Sequence, residues 1–179
     1  TDACGWRQKS YRITVAESEK DVCAEERLCW DSGEICSSQM TGVRYEGLPL
    51  KPDTWYCWRV CVAGEDGSRG EAGSCFHTAF FTAEEWHGEW IGEQKDHVYH
   101  IFRKSFSLTK KVRTAMMYVC GLGHYEAYLN GARVGESVLE PGWTNYDKSC
   151  LYSCYDVTGM LQSGINGIGL ILGDGMYNV

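Results

Sequence analysis

The sequence predicts an all-β chain of two small sandwich modules, and three observations carry that prediction. Strand-like runs rich in β-branched and aromatic residues recur at short intervals, and helical periodicity is nearly absent. Asn130-Gly131, set between two apolar runs, is the strongest hairpin signal in the chain. A length of 179 residues allows one or two domains and a sizeable core.

The first block spans residues 1–82, with strands expected at 11–16, 29–30, 39–45, 54–63 and 74–82. Asp31-Ser32-Gly33, Lys51-Pro52-Asp53 and Glu65-Asp66-Gly67 supply turns, because their residue types accept turn geometry. Residues 83–98 form a join that opens with a small helical turn and contains Trp86 and Trp90. The second block, 99–179, has strands expected at 101–108, 114–121, 125–129, 132–134, 151–156 and 167–172. The sequence stops inside what reads as a strand, and a sheet left open there exposes unpaired backbone groups. On that ground the chain reads as a piece of a larger protein, and as an isolated unit it is expected to be marginally stable or self-associating.

Composition excludes several function classes. A formal charge of -7 and a pI near 5.2 argue against a nucleic-acid partner, because phosphate binding needs clustered Lys and Arg. No apolar run is long enough to span a bilayer, so no membrane partner is expected. The aromatic share is high at 13%, with 7 Trp and 11 Tyr, and such residues both fill sandwich cores and stack on sugars. The first residues lack the pattern of a signal peptide, but the first residue reads as other than a native start, so that absence carries little weight.

The ten cysteines contain no Cys-x-x-Cys pair, which argues against a zinc ribbon or a thioredoxin-type site. In TWYCWRVCV, Tyr56, Trp58, Val60 and Val62 share one strand face, and Cys57 and Cys61 share the other with Trp55 and Arg59. Cys57 and Cys61 are too far apart along an extended strand to bridge each other, and Cys150 and Cys154 have the same spacing. Mostly free thiols are expected, half-buried or at the surface, which points to a reducing, cytoplasmic compartment.

The other constellations are structural at this level. His97-x-x-His100 lacks the further ligands of a metal site, and His77, His87 and His124 are scattered. Gly121-Leu122-Gly123 has no third glycine and no helix after it, and there is no GxSxG elbow and no P-loop. Glu25-Glu26 and Glu84-Glu85 are adjacent carboxylates, yet neighbours in sequence do not face each other across a substrate, so no catalytic residue is assigned. Asp156, just before Val157-Thr158, is placed to cap backbone donors, and Asp174 between two glycines reads as a turn residue.

Particular motifs carry a family resemblance across nearly the whole chain. In the first block these are WDSG at 30–33, YEGLPL at 45–50, WYCWRVCVAGEDG at 55–67 and the run FFTAEEWHGEWIG. They resemble the fibronectin type III-like module near the N-terminus of bacterial α-L-rhamnosidases of glycoside hydrolase family 78. In the second block FRKSF, GLGHYEAYLNGARVG, PGWTNYD at 141–147, YDVTGML and LGDGMY resemble the rhamnosidase N-terminal β-sandwich that follows it. LNGxxVG followed by DVTxxLxxGxN also occurs in the jelly rolls of other glycosidases; the order of WDSG, the WRV strand, WIG and PGWTNYD is more specific. The resemblance implies an immunoglobulin-like sandwich followed by an incomplete, galactose-binding-like jelly roll. It also implies an earlier strand, further strands after LGDGMY, and a helical (α/α)6 barrel outside this chain that carries the inverting pair of carboxylates. Met176 departs from the family pattern, where relatives carry Trp.

What remains for these modules is sugar binding. Trp143, Asn145, Tyr146 and Asp147 combine aromatic faces for a pyranose with groups for vicinal hydroxyls. Related modules in that family bind rhamnose with calcium, so the resemblance implies rhamnose-containing glycosides as ligands and Ca²⁺ with oxygen ligands as the one cofactor to consider. The alternative is that Trp143 and Tyr146 plug the sandwich while Asn145 and Asp147 shape a turn. A stand-alone sugar-binding protein and a purely structural pair of modules are the other readings of the whole chain.

Overall fold

The computed structural model describes residues 5–92, 99–175 and 177. Cys4, His97, Met176 and Asn178 lie outside them. The chain divides into two compact units, Thr1–Glu89 and Trp90–Val179.

The first unit is a four-stranded antiparallel sheet in the order β2-β1-β3-β4, made of β1 (Gln8–Ala16), β2 (Trp30–Asp31), β3 (Trp55–Gly64) and β4 (Arg69–His77). The alternation that the sequence suggests for β3 does not show in its burial: Tyr56 and Cys57 are both buried and residues 58–63 are half-buried. The second burial comes from a short helix, α1 (Glu19–Ala24), whose Val22 packs with Ala16 and Cys57. Ser18 starts α1 by accepting a hydrogen bond from the Asp21 backbone N–H, and Glu25 ends it in the left-handed region at φ 53°. Six residues are too few to show a helical period, which is why the sequence pattern conceals this helix.

Two strands differ from expectation. Residues 39–45 form no ladder; the buried Gln8 side chain instead donates to the Ser37 and Gln39 carbonyls, both at 2.9 Å, and holds the segment as a loop. β4 begins earlier than expected because the turn at 65–67 closes tightly, with Asp66 accepting from Ser68 N–H at 3.0 Å and Gly67 at φ 79°. Cys57 then stands directly opposite Cys75 across β3 and β4, and the two form a disulfide. The expectation of a half-buried or surface free thiol therefore fails at Cys57. Cys23, Cys29, Cys36, Cys61, Cys120 and Cys150 are free.

The second unit sets a sheet of order β5-β10-β7-β8 against a two-stranded pair, β6 and β9. Its strands are β5 (His100–Leu108), β6 (Met116–Val119), β7 (His124–Leu129), β8 (Ala132–Val134), β9 (Ser153–Asp156) and β10 (Gly164–Gly173). Tyr125, Ala127 and Leu129 alternate inward from β7 and form the core with Val119, Val134 and Val157. Phe106, Tyr155, Ile168, Leu170 and Leu172 pack against that core. β10 is hydrogen-bonded on both sides, to β5 and to β7, so it is a central strand.

The LNGARVG motif has a direct physical basis. Asn130 at φ 52° and Gly131 at φ 83° make the two-residue turn between β7 and β8. At Gly135, φ is 77° and an added Cβ would lie 2.5 Å from the Tyr155 ring, so only glycine fits. Asn166, 1% exposed, joins this turn to the end of the YDVTGML segment. Its Oδ1 accepts from Asn130 Nδ2 at 2.8 Å and from Gln162 N–H at 2.9 Å, and its Nδ2 donates to the Gln162 and Gly164 carbonyls. Asn130 in turn donates to the Met160 carbonyl and accepts from Gly167 N–H.

Candidate functional site

The PGWTNYD segment lies on a loop that leaves the buried, cis-bonded Pro141 and ends at Cys150 before β9. Its entry is fixed from the core side: Tyr125 N–H donates to the Glu140 carbonyl at 3.0 Å, and Ser153 Oγ donates to the Glu140 carboxylate at 2.6 Å. Asn145 organises the tip. Its Oδ1 accepts from Asp147 N–H at 3.1 Å, and its carbonyl accepts from Lys148 and Ser149 N–H. Thr144 Oγ1 closes the loop by donating to the Ser149 carbonyl.

The structure brings the four expected residues onto one loop but gives them unlike settings. Trp143 is 61% exposed, so it does not plug the sandwich. Tyr146 is half-buried and meets Tyr177 edge-on, with ring centroids 5.5 Å apart. Asn145 is engaged in the turn as the structural alternative proposed, and Asp147 is exposed. Exposed Val138, Leu139 and Leu151 lie close to Trp143 in sequence. The loop therefore leaves the Trp143 indole and the Asp147 carboxylate exposed while Asn145 and Thr144 hold its shape.

The acidic pairs are committed elsewhere. Glu25 is bonded to Arg12, which also grips Asp31 at 2.7 Å and holds that carboxyl down at about 2. Glu85 caps a short 3-10 turn by accepting from Phe81 and Thr82 N–H. Asp156 accepts from Thr158 N–H at 2.9 Å, as its place in the sequence indicates. His77 pairs with Asp53 at 3.3 Å and packs edge-on against Trp55. Among the described residues no three His, Cys, Asp or Glu side chains converge as a metal-binding group.

One surface escapes sequence reasoning. On the outer face of the larger sheet, Gly167 and Gly169 floor a shallow hollow edged by Ile101, Arg103, Tyr128 and Ile171. Tyr128 donates to Glu126 at 2.8 Å, and Arg133 lies 3.5 Å from the same carboxylate. Strand pairing across three elements builds it, and no contiguous motif announces it.

Comparison with known proteins decides the family. Residues 1–82 match the Rha78A-like N-terminal immunoglobulin domain, and residues 110–179 match the α-L-rhamnosidase N-terminal domain. The chain belongs to the α-L-rhamnosidase family, as its N-terminal region. An α-L-rhamnosidase of Formosa agariphila is 34% identical over 200 residues, covering 97% of this chain and 21% of the relative. Among solved structures, an α-L-rhamnosidase from Dictyoglumus thermophilum superposes with a TM-score of 0.86 at 34% identity, over 96% of this chain and 22% of that one. The native α-L-rhamnosidase of Aspergillus terreus gives 0.82 at 28% identity, over 99% and 21%. The chain thus spans about a fifth of the length of the rhamnosidases it matches, and both expected modules are the rhamnosidase N-terminal ones.

Proposed function

We propose that this chain serves as the non-catalytic N-terminal part of an enzyme that removes terminal α-L-rhamnose from glycosides by inversion. The catalytic carboxylates belong to a barrel outside it, on which these modules pack. The observation that carries this reading is the confinement of the match to about a fifth of each relative, all of it in two N-terminal β-domains. The engagement of Glu25 and Glu85 in an ion pair and a cap supports it, since an inverting pair needs two carboxylates about 6.5–9.5 Å apart across one pocket. The loop with Trp143, Tyr146 and Asp147 is the sugar-facing surface of the reading, with Ca²⁺ as an optional bridge through carboxylate and carbonyl oxygens.

Two assays test it. The 179-residue chain should not hydrolyse p-nitrophenyl α-L-rhamnopyranoside, and measurable turnover that co-purifies with it would overturn the non-catalytic assignment. Titration with L-rhamnose, with and without Ca²⁺, should give a saturable tryptophan fluorescence change that Trp143→Ala abolishes. A flat titration of a folded sample would remove sugar binding and leave a structural role.

A further inference from the structure

Two of the free thiols stand together at the base of the candidate loop. Cys120 follows the last residue of β6, and Cys150 precedes β9 by three residues; β6 and β9 pair with Val119 opposite Ser153, which brings both cysteines to the same end of that ladder. The Cys120 thiol donates to the Leu151 carbonyl at 3.3 Å, the residue next to Cys150, and the two thiols lie near enough for Cys150 to influence the titration of Cys120. Both are half-buried and unbridged. By that register Cys120 falls opposite Tyr152, so Cys150 stands diagonally across the end of the ladder, where a modest shift of the loop would bring the sulfurs together.

We propose that Cys120 and Cys150 form a redox-responsive dithiol that closes to a disulfide by exchange with a small-molecule disulfide, tying the end of β6 to the base of the loop that carries Trp143. With oxidised glutathione the balance is complete. The Cys150 thiolate attacks one glutathione sulfur, the glutathione S–S bond breaks, and the departing thiolate takes up the proton that Cys150 gave to solvent. Cys120, deprotonated in turn, attacks the Cys150 sulfur of the mixed disulfide and releases the second glutathione. The two cysteines lose two electrons and one glutathione disulfide becomes two thiols. Cys150 is the entry point because burial, with the neighbouring Cys150 adding to it, pushes the Cys120 thiol above its ordinary range and keeps it in the less reactive form.

The bridge would close a loop of about thirty residues that contains the β7–β8 hairpin and the PGWTNYD segment, so it constrains the sugar-facing loop without adding a contact to it. The test needs no variant at first. The thiol-reduced chain is exposed to oxidised glutathione, quenched in acid, alkylated and digested. The expected result is a linked Cys120–Cys150 peptide beside the Cys57–Cys75 one, with exposed Cys36 recovered as an alkylated or glutathione-bound peptide. Recovery of Cys120 and Cys150 as separate alkylated or glutathione-bound peptides, under conditions that modify Cys36, would overturn the proposal. As an independent readout, phenylarsine oxide, which bridges paired thiols, should shield Cys120 and Cys150 together from iodoacetamide. That shielding of Cys120 should be lost in Cys150→Ser and kept in Cys154→Ser; its loss in Cys154→Ser or its persistence in Cys150→Ser would refute the pairing.

Discussion

Asn166→Ala is the most informative single change in the second unit, because Asn166 satisfies four backbone and side-chain partners from a position only 1% exposed. The substitution removes two acceptor and two donor contacts at once. A net hydrogen bond contributes about 1 kcal/mol, and a buried group left unpaired costs about 1–3 kcal/mol. Asn130, Gln162 and Gly164 are exposed, so water can replace part of what their polar atoms lose. The expected destabilisation is therefore about 2–4 kcal/mol, less than four independent losses would give. In a domain of this size each kcal/mol shifts Tm by roughly 4–8 °C, so the melt should fall by about 8–32 °C. Backbone hydrogen exchange of β7 and β10, which the clasp joins, should accelerate while β1 and β3 in the first unit keep their protection. Coupling adds a sharper test: Asn130→Ala and Asn166→Ala should be sub-additive, since the second change removes contacts the first has already broken. A loss below about 0.5 kcal/mol, or strict additivity, would refute the view that this clasp holds the LNG turn to the DVT segment.

Three further outcomes follow from the same contacts. Cys75→Ser opens a loop with a sequence separation of 18, which the chain-entropy relation puts at about 3 kcal/mol of stability, read by urea unfolding of the first unit without reductant. Arg12 holds Asp31 near 2, below its ordinary 3.8; a depressed carboxyl contributes stability that is complete above about 4 and lost as pH falls toward 2. Acid titration of the melt should therefore show a downward step in that window that Asp31→Asn flattens; an unchanged step would assign it elsewhere. Burial keeps the Tyr125 phenol protonated well above its ordinary range, and its hydroxyl lies 3.1 Å from that of Tyr155. Because the folded value is raised, stability is complete below pH 10 and declines above it; Tyr125→Phe should weaken that alkaline decline, as followed by circular dichroism.

The strands that the sequence revealed are those whose alternation or turn chemistry is local. β7 and β8 are legible because Asn130-Gly131 fixes both their turn and their register, and β3 because its aromatic and β-branched run is long. The segment at 39–45 has a pattern that suits a strand, but its partner is the Gln8 side chain, contributed from another part of the chain. Long-range pairing also hid the disulfide: Cys57 and Cys75 meet only through the β3–β4 register, while attention to spacing within each strand pairs Cys57 with Cys61 and finds no bridge. The same limit applies to the hollow beside Tyr128, which three strands assemble. The PGWTNYD loop is visible as residue types, but its hydrogen bonds decide which residues are occupied by folding and which stay exposed.

That division gives Trp143 its meaning. A tryptophan that completes a core loses several kcal/mol of packing when truncated, about 3–5 for a fully buried ring. Trp143 is 61% exposed and stands on a loop whose shape is set by Asn145 and Thr144, so Trp143→Ala should change stability by no more than about 0.5 kcal/mol. Asn145→Ala should instead loosen the loop, because it removes the Oδ1 acceptor for Asp147 N–H at the turn. The two variants separate scaffold from surface: parallel denaturation and L-rhamnose titrations should show Trp143→Ala losing ligand response at unchanged stability. A loss of 2 kcal/mol or more at Trp143 would mean that the indole is packed after all, and the loop would then be part of the fold's support and not its sugar-facing edge.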